Sequence, residues 1–98
     1  MSVRPEVLRL AALGPLPDAS GATESDLKLR AEYLEAIRPP LTRDEADALL
    51  GCFGNDDCFG IAWTLLHLLE TTPGGAVRDA PARDANEWVL RLSARAHR

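Results

Sequence analysis

Between Arg43 and Arg78 this chain contains no lysine or arginine, and the middle of that gap, Asp56 to Pro73 (DDCFGIAWTLLHLLETTP), is apolar at helical spacing. Advancing 100° per residue, Ile61, Ala62, Leu65, Leu66, Leu68 and Leu69 cover about half of a helix circumference. Gly60, Trp63, Thr64, His67 and Thr71 cover the other half, with Glu70 at its edge. A helix without one long cationic side chain is expected to be sandwiched between neighbours, at the centre of a small helical domain. Asn55 or Asp56 is the expected N-cap, and Asp57 adds negative charge near the positive helix end. Pro73-Gly74-Gly75 ends the run. Gly60 and Thr64, one turn apart, leave room for another helix to approach.

Four further helices are legible around this one, and together they predict an all-α, compact bundle of about five helices at 5–13, 25–38, 42–53, 57–72 and 84–97. The first starts with Pro5, which suits a first helical turn, and ends before Gly14-Pro15-Leu16-Pro17. The second places Leu27, Ala31, Leu34 and Ile37 on one side, with Tyr33 beside them. Lys28 and Glu32 lie opposite as an i,i+4 pair, and Pro39-Pro40 stops the helix. Thr42-Arg43-Asp44-Glu45 is a capping box for the third, in which the threonine hydroxyl takes the Glu45 amide and the glutamate reaches back. Ala46, Leu49, Leu50 and Phe53 follow at helical spacing, and Gly54 is the expected stop. The turn Gly54-Asn55-Asp56 is short, so the third and fourth helices read as one αα-hairpin over 42–72, similar to a HEAT unit. In the fifth, Asp84 takes the capping position and Trp88, Val89, Leu92 and Ala96 form an apolar stripe. Arg91, Arg95, His97 and Arg98 gather at its negative end. Loops at 14–23 and 74–83 complete a single helical domain over 1–98, the first expected to be mobile.

Composition narrows the function classes. Of 98 residues only 5% are aromatic, and the net charge is −4. Nucleic-acid binding needs a basic surface to displace counterions from phosphate, and the whole chain lacks one. No apolar run approaches the length of a membrane span, and no apolar signal region follows Met1. The expected setting is cytoplasmic, with Cys52 and Cys58 reduced.

The chemistry-bearing groups do not assemble into an active site. Two cysteines are too few for a closed metal site, and His67 lies about 13 Å from Cys58 along the helix at 1.5 Å per residue. A cysteine at a helix start is a candidate for a lowered pKa, but His67 is too far along the helix to serve as its base and His97 could approach only through tertiary folding. Asp56-Asp57 is more simply a cap than a metal pair, and phosphate-binding loops and nucleophile elbows are missing. The reading is therefore no enzyme, no cofactor and no metal. Trp63 and His67, four residues apart, form the candidate binding face, with Glu70 near them and Asp56 and Asp57 at its end; tryptophan is enriched among interface hot spots. Trp88 is read as a core anchor first.

The run from Asp56 to Thr71, followed by Asn86-Glu87-Trp88-Val89, resembles a group of small bacterial helical proteins encoded beside polymorphic toxins, of which they are the immunity partners. The resemblance covers residues 42–96. It implies a non-enzymatic protein that binds and inhibits a cognate toxin domain, with a homodimer as a further association to test. Two alternatives stay open: a thiol- or metal-dependent small enzyme or sensor using Cys52, Cys58 and His67, and a homo-oligomeric helical accessory domain.

Overall fold

The computed structural model describes residues 3–18, 20–77 and 85–96. Five α-helices follow one another: α1 (Pro5–Ala12), α2 (Glu24–Ala36), α3 (Arg43–Leu50), α4 (Ile61–Leu69) and α5 (Glu87–Ala96), with a 3-10 turn, Cys58–Gly60, ahead of α4. No strand occurs among the described residues, so the all-α five-helix architecture holds. α1 packs on α2 and α3, and α4 touches α2, α3 and α5. The Cα radius of gyration is 12.7 Å, against about 13 Å for a compact domain of this length. One apolar core runs from Val7 and Leu10 through Leu34, Leu41 and Leu49 to Leu65, Leu66, Leu69, Trp88 and Leu92. Each fully buried leucine contributes about 1.5–3 kcal/mol over its exposed state.

The helix ends explain how the chain is held. Thr23 Oγ1 accepts the Asp26 amide at 3.1 Å and opens α2. Ile37 is extended (ψ 115°), so α2 stops at Ala36, two residues before Arg38, whose helical conformation Pro39 disfavours. The ion pair along α2 is Asp26–Arg30, and Arg30 is buried. Its Nη1 and Nη2 donate to the Gly14 and Leu13 carbonyls, each at 3.0 Å. The first belongs to the residue just past the C-cap of α1 and the second to the C-cap itself, and neither has a partner inside the helix. An internal arginine thus closes one helix from the flank of the next.

The capping box of α3 forms as expected: Glu45 N–H donates to Thr42 Oγ1 at 3.2 Å, and Thr42 N–H donates to Glu45 Oε1 at 3.0 Å. Glu45 does more than cap. Arg4 donates its backbone N–H (3.0 Å) and Nε (2.8 Å) to Oε2, and Nη2 (3.1 Å) to Oε1. The carboxylate is 0% exposed. The Arg4 hydrogen bonds, followed by those from the Thr42 and Arg4 amides, outweigh its desolvation and pull its pKa down to about 2. One buried carboxylate thereby ties the start of α1 to the start of α3.

The junction between α3 and α4 departs from the expected simple hairpin. α3 ends at Leu50 with Gly51 as its cap, and not at Phe53. Gly54 is not the stop: a Cβ there would collide with the Leu16 carbonyl oxygen and lie 2.9 Å from its carbon. Its bareness lets loop 14–18 lie against this segment, where the Leu16 amide donates to the Cys52 carbonyl at 2.8 Å. The loop expected to be mobile is anchored there by buried Leu16.

The fourth helix starts at Ile61 and not at 57. Cys58, Phe59 and Gly60 have φ of 47°, 56° and 90°, three successive left-handed residues that no α-helix accommodates. Asp56 caps this turn rather than the helix, its Oδ1 accepting the Cys58 amide at 2.9 Å. The Asp57 carbonyl accepts from Gly60 and Ala62 and joins turn to helix. At the far end the Thr71 hydroxyl donates to the Leu68 carbonyl (2.6 Å) and accepts the Leu41 amide (3.1 Å), pinning the end of α4 beside the entry to α3. Asn86 caps α5: its Oδ1 takes the Trp88 amide at 2.8 Å and its Nδ2 donates to the Gly54 carbonyl at 2.9 Å. Asp84, His97 and Arg98 lie outside the described residues.

Candidate functional site

α4 is central but not sandwiched. Ala62, Leu65, Leu66 and Leu69 are buried, whereas Trp63, Thr64, His67 and Glu70 face solvent. The outer face lacks cations of its own and takes them from α5, where Arg91 lies over Trp63 and Arg95 pairs with Glu70.

The candidate site is the aromatic ridge along that face. Phe59 precedes it in the chain, on the left-handed turn, and is 68% exposed. A bulky aromatic at positive φ costs about 1–2 kcal/mol relative to ordinary backbone, and strained residues of this kind cluster at functional surfaces. Trp63, 37% exposed, follows in the first turn of α4. Its ring meets His67 at 6.2 Å between centroids, tilted by 43°. On its other side it stands edge-on to Trp88 at 5.0 Å and 89°. Trp88 is buried and stacks on buried Phe53 at 6.0 Å, which agrees with its reading as a core anchor. Phe53, Trp88, Trp63 and His67 thus form a continuous series from core to surface. The exposed ring is backed by rigid packing, so little side-chain entropy remains to be lost on binding.

Charges frame the ridge. The Arg91 guanidinium lies over both tryptophans, 4.4 Å from the Trp88 centroid and 5.1 Å from that of Trp63. Glu70, expected as a carboxylate beside the ridge, is held by Arg95 through a two-pronged contact at 2.7 and 3.1 Å. Asp57 is exposed and Asp56 half-buried at the Phe59 end. Of the five residues expected at the site, Trp63 and His67 are in ring contact, Glu70 sits one turn further along α4, and the two aspartates belong to the preceding turn. Phe59 was not anticipated. The chain contains Cys-Phe-Gly twice; helical spacing after Ala46 points to burial of Phe53, but no local signal marks Phe59 as protruding.

The thiols have a different environment from the one a reactive cysteine needs. Cys52 and Cys58 are both unpaired and buried. Burial pushes both pKa values up; for Cys58, Asp56 adds to the rise. The helix start expected to lower the Cys58 pKa is absent, because α4 begins three residues later. Among the described residues no group of three or more His, Cys, Asp or Glu side chains could hold a metal ion, no cavity opens, and no helix is long and apolar enough to cross a membrane.

Comparison of the chain with protein-family models, curated proteins and solved structures finds no match.

Proposed function

We propose that this protein is a non-enzymatic protein-binding module whose aromatic ridge on α4 grips another protein, and that the partner is a bacterial toxin domain which it inhibits by occupying it. The observation that carries the reading is exposed Trp63 backed by a rigid aromatic base reaching into the core, with a second exposed aromatic, Phe59, on the turn that precedes α4. Large aromatics on a preorganised support are the residues that dominate binding energy at protein interfaces. The net charge of −4 and the exposed Asp57 favour a basic partner through steering. The toxin assignment follows from the sequence resemblance over residues 42–96. Burial of both thiols speaks against the thiol-dependent alternative.

Co-expression with the product of the neighbouring reading frame, in a bacterial host, tests the proposal. The wild-type chain is expected to restore growth and to form a 1:1 complex by titration calorimetry. Phe59→Ser combined with Trp63→Ala is expected to remain folded and to bind at least about 30-fold more weakly, the loss of one hot spot. A neighbour that is harmless and forms no complex overturns the assignment.

A further inference from the structure

The two tryptophans make a corner. Their rings meet at 89° with centroids 5.0 Å apart, and a guanidinium rests against both faces. A cation within about 6 Å of two aromatic centroids is attracted by both rings. Here the cation is the protein's own Arg91. Its hold is weak compared with the other paired arginines. Arg4 and Arg30 clamp buried or backbone acceptors through several bonds, and Arg95 grips Glu70 through two. Arg91 has one exposed i,i+4 contact, Nη2 to Glu87 Oε1 at 3.1 Å, a pairing of small worth in water. The side chain of Glu87 is 70% exposed, so a carboxylate stands open at the rim of the corner.

We infer that the Trp63–Trp88 corner is a guanidinium site that Arg91 fills in the free protein and that an arginine side chain of the protein partner takes over on binding. The inference rests on the proposed binding function and names the chemistry of the partner's anchor. The corner already fits a guanidinium, as the position of Arg91 demonstrates. A planar, weakly hydrated guanidinium stacks on aromatic faces better than a compact ammonium, and the Glu87 carboxylate supplies the countercharge. Arg91 keeps the buried Trp88 face covered until exchange, and its release into solvent costs only its exposed pairing and its ring contacts.

Tryptophan fluorescence isolates the corner, since Trp63 and Trp88 are the only two tryptophans. The probe is N-acetyl-arginine amide, with N-acetyl-lysine amide as reference, at constant ionic strength. Wild-type protein is expected to bind the probe only weakly. Arg91→Ala is expected to respond saturably, with an apparent association about fivefold above wild type, the factor that one partly exposed cation–π contact supplies. The lysine probe is expected to bind more weakly, and Trp63→Leu in the Arg91→Ala background to abolish saturation. Equal responses in wild type and Arg91→Ala, or equal binding of the two probes, overturn the inference. Arg91→Ser serves as a second opening variant, with circular dichroism checking the fold. If both variants unfold, Arg91 is a structural cover for Trp88 and the inference fails. No partner protein is used, so a negative titration leaves the binding function standing, while loss of the toxin complex leaves a positive titration in place.

Discussion

Replacing Glu45 with glutamine removes one charge from the tie between α1 and α3 while keeping its shape. With its oxygen at the Oε1 position, glutamine still takes the Thr42 amide and Arg4 Nη2, but its NH2 group then faces the Arg4 backbone N–H and Nε, so two accepted hydrogen bonds go with the charge. What is lost is the carboxylate's preference for its buried, cation-paired position. The Glu45 pKa is about 2 against 4.5 for the ordinary side chain. At about 1.36 kcal/mol per unit this corresponds to about 3 kcal/mol. Arg4 is 36% exposed, so solvent screens part of that interaction and the expected loss at pH 7 is about 2 kcal/mol. Because the folded pKa is lowered, this stability is fully present above about pH 4.5. It falls as the pH drops, and is gone below about 2, where Glu45 is protonated in both states. The assay is urea unfolding of wild type and Glu45→Gln at a series of pH values. The gap between the two should be widest at neutral pH and close toward pH 2. A double-mutant cycle with Arg4→Met should give a coupling of about 1–2 kcal/mol. A gap below about 0.5 kcal/mol at pH 7, or one that stays constant down to pH 2.5, would refute the assignment of stability to this carboxylate.

Three other outcomes are expected. Gly54→Ala should destabilise by about 2–3 kcal/mol in chemical denaturation, since its Cβ meets the Leu16 backbone and displaces the loop bonded to Cys52; a neutral result would mean that the loop moves freely. Phe59→Gly should stabilise the fold by about 0.5–1 kcal/mol by relieving a left-handed aromatic, while weakening the partner complex. Loss of stability there would show that the Phe59 ring packs on the protein. Cys52 and Cys58 should react with a thiol reagent only after unfolding, because both are buried with raised pKa values; rapid labelling of the native protein at neutral pH would revive the thiol-dependent alternative.

The signals that could be read along the chain are those whose causes lie within one turn of it. The Thr42–Glu45 capping box is a contact over three residues, so it is written in the sequence and appears where expected. Pro39 and Pro73 follow the ends of α2 and α4, which stop earlier than expected, at Ala36 and Leu69, and the leucine spacing in 61–69 fixes which side of α4 is buried. Other outcomes needed partners from far along the chain. Glu45 meets Arg4 across 41 residues, and Arg95 meets Glu70 across 25. The two Cys-Phe-Gly tripeptides are identical, yet Phe53 stacks on Trp88 while Phe59 projects into water. Gly54 looked like a helix stop and is instead a site of close approach to Leu16. Exposure, ion pairing and backbone strain depend on what the rest of the molecule places beside a residue, and a window of a few residues holds no record of those neighbours. The ridge that we assign to binding is therefore a product of tertiary packing, laid over helices whose number and order were already legible one turn at a time.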